Sequence, residues 1–209
     1  MENTRKITKR VKVSYVSDDG FVFGFSPIED TLTITETPTG YEARYLVQDD
    51  DAQSPDESSD DASRGAIFLV HYHRDFFVKN DKYIVEDDLR RWYQGEAIDQ
   101  ERNYWIFPVA AYIHSGVRLS LGSGRQFPDY QWDVSHVGAL LVLKEEWETE
   151  EDARKAAQAL IEEWNSTLSG DVYGIVKETF DKDKQPLEND HVWGYVGHKY
   201  ALESLKNDI

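Results

Sequence analysis

Residues 138–179 have the sequence GALLVLKEEWETEEDARKAAQALIEEWNSTLSGDVYGIVKET, and this stretch predicts the main elements of the fold. The apolar run Gly138–Leu143 is typical of a strand that is covered on both faces. A helix is predicted from about Glu150 to Ser169, because small and apolar side chains recur there at helical spacing. These side chains are Ala153, Ala156, Ala157, Leu160, Ile161, Trp164 and Leu168. A second strand is predicted from Asp171 to Thr179.

Signals at both ends set the limits of that helix. Thr149 is a typical N-cap residue, and the acids Glu150, Glu151 and Asp152 follow at the positive end of the helix dipole. Gly170 can adopt the left-handed conformation that commonly ends a helix. The helix is therefore predicted with both of its boundaries.

The rest of the chain is predicted mainly as strands with period-2 alternation, separated by turn residues. The predicted strands are Val11–Val16, Phe21–Phe25, Thr31–Thr35, Tyr41–Val47, Ala66–Val70, Tyr104–Ile113 with an edge or bulge at Pro108, Val117–Leu121 and Val192–Val196. Short helices are predicted at Val85–Tyr93 and near Tyr200–Leu205. The fold class is therefore α+β, a mostly antiparallel sheet with one long amphipathic helix and two short helices.

Three parts are predicted along the chain. Residues 1–47 form an N-terminal antiparallel β subdomain, and residues 65–209 form the α+β main domain. Residues 48–64 lack large apolar side chains and hold seven acids, so we expect an acidic flexible linker.

The charge of the chain limits its partners. Its 209 residues include 40 acids against 23 bases, for a net charge of -17. Such a field repels nucleic acid and attracts basic proteins, although it also serves simple solubility. Cysteine is absent, which excludes disulfides and thiolate metal sites. Without a signal-like or membrane-spanning apolar run, we expect a cytoplasmic protein that binds neither membrane nor nucleic acid directly.

Two histidine clusters are weak candidates for chemistry. His71 and His73 would share one face of a strand and could hold a metal with a third ligand, or form a solvent-exposed pair at a strand end. His114, Asp133 and His136 supply a base and a carboxylate for a catalytic site, but no Gly-x-Ser-x-Gly elbow accompanies them. The alternative is that His114 and Asp133 bond to the backbone at turns while Trp132 packs. No cofactor is predicted.

Four segments of the second half carry a resemblance to a known group of proteins. They are Ile113-His114-Ser115-Gly116-Val117, Trp132-Asp133-Val134-Ser135-His136-Val137-Gly138, Gly170-Asp171-Val172-Tyr173-Gly174 and Trp193-Gly194-Tyr195. The chain resembles a family of phage- and plasmid-encoded proteins with DHSG, WDSGQVG, GDVYG and WGFYG segments in this order. Here Ile113 replaces the Asp, and Val134-Ser135-His136 replaces Ser-Gly-Gln. The resemblance implies a mobile-element origin and little about chemistry.

Charge, resemblance and the lack of a catalytic motif favour a non-enzymatic function. We expect a mobile-element accessory protein that inhibits a host defence nuclease, of restriction or CRISPR type, by DNA-mimic-like binding to its basic nucleic-acid groove. The candidate partner-binding residues are Asp49, Asp50, Asp51, Asp56, Glu57, Asp60, Asp61, Glu150, Glu151, Glu162 and Glu163. One alternative is a metal-assisted or hydrolytic enzyme built on the histidine clusters. Another is a binding module that uses Trp92, Trp105, Trp132 and Trp193.

Overall fold

The computed structural model describes residues 15–55, 67–74, 76–78 and 83–207. The strands in chain order are β1 (Tyr15–Val16), β2 (Val22–Phe23), β3 (Thr33–Thr37), β4 (Gly40–Gln48), β5 (Ile67–His73), β6 (Phe76–Val78), β7 (Tyr104–Ile113), β8 (Val117–Leu121), β9 (Val134–Ser135), β10 (Gly138–Leu143), β11 (Val172–Phe180) and β12 (Pro186–Val196). The α-helices are α1 (Glu86–Tyr93), α2 (Glu150–Ser169) and α3 (His198–Asn207). All strand pairs are antiparallel, so the predicted α+β class with one long and two short helices is confirmed.

The chain divides into two compact units, and their boundaries differ from the predicted ones. Unit 1 comprises Met1–Asp49 and Val172–Ile209, and unit 2 comprises Asp50–Asp171. The division differs because β11 and β12, from the C-terminal part, join β3 and β4 in one sheet. The predicted linker begins where unit 1 passes into unit 2. Most of it, residues 56–64, lies outside the described residues.

Unit 1 is built on a sheet of strand order β12-β11-β4-β3. Successive side chains of a strand point to opposite faces, so Tyr45 and Leu46 face different cores. An aromatic core on one face contains Phe21, Phe23, Tyr45, Val176 and Phe180. On the other face, Leu46 and Ile175 pack with Ala201 and Leu205 of α3. The outer strand β12 is exposed along most of its length.

Unit 2 is built on a sheet of strand order β6-β5-β10-β7-β8, with β9 also paired to β7. On one face, Leu140 and Val142 of β10 pack against the buried stripe of α2. On the other face, Ala139 and Leu141 pack with Leu89 of α1 and with neighbouring apolar side chains. Both faces of β10 are therefore covered, as predicted, and this explains why its successive side chains are all apolar.

The predicted limits of α2 are confirmed. The Oγ1 atom of Thr149 accepts the N–H of Asp152 at 3.1 Å, and Gly170 ends the helix with a φ of 73°. Ala153, Ala157 and Trp164 are buried on the predicted stripe. No helix among the described residues is long and apolar enough to cross a membrane.

Pro108 lies where β7 changes its partners. Ala139 of β10 pairs with Pro108, whereas the pairing with β8 begins at Val109. The Pro108 carbonyl accepts the N–H of Gly122, the residue after β8, at 2.6 Å. Because the N and the carbonyl of one residue in a strand point to the same side, the proline nitrogen also faces the β8 side and not β10. The proline therefore removes no bond from the ladder with β10, but β7 lies between β10 and β8 without a bulge, so the predicted edge or bulge is not found.

Candidate functional site

The structure brings together two predicted catalytic residues, His114 and Asp133, at the end of β7. His114 lies in the turn from β7 to β8, where its N–H donates to the carbonyl of Gly116 at 3.1 Å. Asp133 precedes β9, and its carbonyl accepts the N–H of Ile113 at 2.9 Å. The pairing of β9 with β7 thus places His114 Nδ1 at 3.1 Å from Asp133 Oδ2.

This pair has the geometry of a base and its orienting carboxylate. A carboxylate at Nδ1 fixes the imidazole so that Nε2 can accept a proton. The side chain of His114 is 65% exposed and that of Asp133 is 30% exposed, so water screens the interaction. Among the described residues, no hydroxyl forms a hydrogen bond with His114. The pair therefore has two parts of a hydrolytic triad without the nucleophile.

The third predicted residue, His136, lines a cavity of about 410 Å³ whose lining includes neither His114 nor Asp133. Arg125 and His136 contribute nitrogen donors to this cavity, and no carboxylate lines it. The hydroxyl of Tyr93, in the same wall, donates to the Gly138 carbonyl at 2.5 Å. Burial raises the pKa of Tyr93 to about 12, so this phenol stays protonated at neutral pH. The surface of this cavity is mainly apolar, so its lining does not indicate a site for a charged group.

Trp132 is exposed, so the prediction that it packs is wrong. Its side chain is 85% exposed, and Tyr130 beside it is 40% exposed. The cause is a tight turn at Asp129, which has a φ of 53°. The Asp129 carbonyl accepts the N–H groups of Trp132 at 2.8 Å and Asp133 at 3.2 Å, which directs the indole outward. An exposed tryptophan is typical of a contact surface for another molecule.

His71 is a core residue, and the predicted solvent-exposed pair is wrong for this side chain. His71 is fully buried, and its ring lies 6.3 Å from the ring of His73. Gly138 lies directly opposite His71, and a Cβ on Gly138 would come within 2.5 Å of His71 Cδ2. The imidazole thus occupies the space that the glycine leaves. Within the part of the chain that the structure describes, no group of three or more His, Cys, Asp or Glu could hold a metal.

The predicted partner-binding acids of the linker region are only partly described. Asp49, Asp50 and Asp51 follow β4, and the last two are exposed. Asp56, Glu57, Asp60 and Asp61 lie outside the described residues. This group therefore stays a prediction.

The predicted acids of α2 are partly neutralised. Glu150, Glu151 and Glu162 are exposed, and Glu163 is half-buried. Arg154 pairs with Glu150 at 3.2 Å, and Lys155 pairs with Glu151 at 2.9 Å. The first turns of α2 consequently present less negative charge than the sequence suggests.

Sequence reasoning missed three further acids, Glu145, Glu146 and Glu148, which lie just before α2. Residues 145–152, here called the acidic segment, contain six acids. Its members Glu145, Glu146 and Glu148 are exposed and form no ion pair within the described residues. The sequence signal for this segment was its density of acids on both sides of the predicted N-cap Thr149.

The net charge is concentrated in unit 2. This unit contains 25 acids against 12 bases, whereas unit 1 contains 15 against 11. Unit 2 therefore carries -13 of the total charge of -17. Any electrostatic attraction of basic partners arises mainly from this unit.

Sequence reasoning also missed Glu178 in β11, a carboxylate of unit 1 that is only 1% exposed. Its sequence signal was its position, because it alternates with the buried residues Val176 and Phe180 along the strand. A charged residue at a core position of a strand indicates a special role.

Comparison of the chain with protein-family models, curated proteins and solved structures gives no match. The class of the protein is therefore described by its fold alone, which is α+β with two antiparallel-sheet units. The mobile-element resemblance stays a prediction.

Proposed function

We propose that this chain is a non-enzymatic accessory protein of a mobile element, which binds a basic host protein through the acidic surface of unit 2. The partner is a defence nuclease of restriction or CRISPR type, and the carboxylates occupy the groove that normally holds phosphates. The observation that carries the proposal is the concentration of -13 charge in unit 2. Exposed Trp132, in the same unit, supplies an aromatic contact residue.

The acidic segment is the main part of this surface. Glu151 and Glu162 lie on the same face of α2, about 16 Å apart along the helix axis. A DNA strand carries one charge about every 3.4 Å, so this length of DNA would present about five charges. The ion pairs of Arg154 and Lys155 with Glu150 and Glu151 leave α2 with fewer net negative charges than that. The unpaired carboxylates of Glu145, Glu146 and Glu148 must therefore supply much of the attraction.

Competition with nucleic acid tests the proposal. The tagged protein would be incubated with host lysate and the bound proteins eluted with a salt gradient and identified. We expect a nucleic-acid-binding protein that is displaced by duplex DNA or RNA and that elutes between about 50 and 200 mM salt. A partner that DNA and RNA do not displace, or whose binding is insensitive to salt, would contradict the proposal.

A hydrolytic enzyme is the second candidate, and the pair of His114 and Asp133 is the observation that favours it. Water would have to be the nucleophile, with His114 taking its proton, because no hydroxyl is bonded to His114 within the described residues. Ester and phosphoester substrates would be tested with the protein and with H114A and H136A. Hydrolysis that H114A abolishes and H136A preserves would support the enzyme, and equal rates in all three proteins would exclude it.

A further inference from the structure

The buried carboxylate of Glu178 is held by neutral donors. Its Oε1 atom accepts the backbone N–H of Gly24 at 2.9 Å, and its Oε2 atom accepts the hydroxyl of Tyr45 at 2.9 Å. Burial and the neighbouring carboxylate raise the pKa of Tyr45, so this hydroxyl remains a donor. No lysine, arginine or histidine pairs with Glu178 among the described residues. The carboxylate is therefore held by hydrogen bonds alone in the described part of unit 1.

A structural role alone does not require this charge. The carboxylate connects β2 to the sheet, but a glutamine amide would do the same, with its oxygen accepting from Gly24 and its nitrogen donating to Tyr45. Burying an ion without a counter-ion is unfavourable, even with two hydrogen bonds. A charged group kept in such a position is a candidate binding residue.

Glu178 also lines a cavity of about 250 Å³ between β2 and β12. The cavity has room for about eight waters, which is enough for the side chain of a lysine or an arginine. The backbone of Gly24 forms part of its wall, and a Cβ there would lie only 2.8 Å from Glu178 Oε1. Asn189 of the exposed strand β12 pairs with Glu178 across the two strands and adds an amide to the lining, whereas the neighbouring Glu188 has its side chain on the other face of the sheet.

Aromatic rings continue the same face of β12. His191 and Trp193 follow Asn189 at alternate positions, and their ring centroids lie 5.7 Å apart. Phe25, which follows Gly24, lies 5.5 Å from His191 and 5.4 Å from Trp193 between ring centroids. These rings do not line the cavity, but they extend from it along the same face of β12, and aromatic rings are common in sites that recognise organic cations.

We propose that this cavity binds an organic monocation, a primary ammonium or a guanidinium on an alkyl chain, with Glu178 as its counter-ion. A metal ion is a poor fit, because no group of three possible ligands exists within the described residues. The cation comes either from a free amine or from a lysine or arginine side chain of a protein. The site lies in unit 1 and does not rest on the function proposed for unit 2.

Nuclear magnetic resonance titration tests the site directly. The ¹⁵N-labelled protein would be titrated with n-butylammonium, n-butylguanidinium, the capped amides of lysine and arginine, and n-butanol as a neutral control. We expect saturable shifts of the Gly24 amide and the Trp193 indole, with a Kd of about 1 mM or tighter for the cations only. Tighter binding of the capped residues indicates a protein side chain, and tighter binding of the free amines indicates a small ligand.

Two variants make the test specific. In E178Q the affinity for the cations should fall at least about tenfold, whereas E36Q, an exposed change of the same type in unit 1, should leave it unchanged. In N189K a lysine lies directly across the strand pair from Glu178 and should supply the missing ammonium. That variant is expected to melt at a higher temperature and to lose cation binding. Shifts that are equal for butanol, or undiminished in E178Q, would overturn the proposal, as would N189K that still binds the cations.

Discussion

Replacing Gly138 with alanine tests whether His71 is a packing residue. The new Cβ would lie 2.5 Å from His71 Cδ2 and 3.0 Å from the carbonyl oxygen of Val109. Neither neighbour can easily move, because His71 is fully buried and Val109 lies in the central strand β7. Overpacking of this kind typically costs about 1–3 kcal/mol. For a chain of this length, such a loss lowers the melting temperature by roughly 2–12 °C.

A double-mutant cycle separates this clash from other effects of the substitution. The free energy of unfolding would be measured in urea for wild type, G138A, H71A and the double variant. If the His71 imidazole occupies the space left by Gly138, the methyl group added by G138A is tolerated once H71A has removed the ring. The interaction energy between the two substitutions is then about 0.5–3 kcal/mol. Strictly additive losses, or a G138A protein as stable as wild type, would refute the packing of His71 against Gly138.

Three further changes follow from named contacts. Y45F removes the hydroxyl that donates to Glu178 and should cost about 1–3 kcal/mol in urea unfolding, because a buried carboxylate oxygen loses its donor. N165A should cost a similar amount, about 1–3 kcal/mol, because the Asn165 amide satisfies both the N–H and the carbonyl of Leu119 in β8; N165D would keep only the acceptor and recover part of the loss. The hydrogen bond from the hydroxyl of Thr149 is the main cause that lowers the pKa of Asp152. The ionised Asp152 side chain therefore contributes fully to stability above the ordinary pKa of 3.8, and this contribution is lost as the pH falls through the lowered pKa. Acid unfolding curves of wild type and D152N should therefore converge at the lowest pH, and a constant gap would contradict this.

Local signals made α2 predictable from the sequence. Its apolar stripe, its N-cap Thr149 and its terminal Gly170 all lie within the helix or next to it. The strand around Pro108 was predicted from its own apolar residues, although the edge or bulge expected at the proline is not found. Both predictions depend on properties of single residues and their near neighbours.

The division into units was not predictable in the same way. The pairing of β4 with β11 joins residues that are far apart in the chain, and nothing in either strand's own pattern specifies the other. The sequence therefore placed the N-terminal strands in a separate subdomain. Only the three-dimensional pairing shows that the C-terminal strands complete their sheet.

The candidate sites were predictable only in part. The proximity of His114 and Asp133 follows from two short segments that both flank paired strands, and sequence reasoning had grouped them. Trp132 was assigned to the core because most tryptophans are buried, but the turn at Asp129 directs it outward. Glu178 was overlooked because a single acid in a strand is ordinary until its burial is known.

The affinity of a charge-neutralised variant tests the proposed function most directly. E145Q/E146Q/E148Q removes three unpaired carboxylates from unit 2, and E29Q/E36Q/E203Q removes the same charge from exposed positions of unit 1. At about 0.2–1 kcal/mol for each exposed contact, the first variant should bind the captured nuclease roughly 3-fold to 150-fold more weakly. Its affinity should also depend less on salt, while the unit 1 variant should bind almost as tightly as wild type. Equal affinities of the two variants would show that net charge alone acts, and would contradict a binding surface on unit 2.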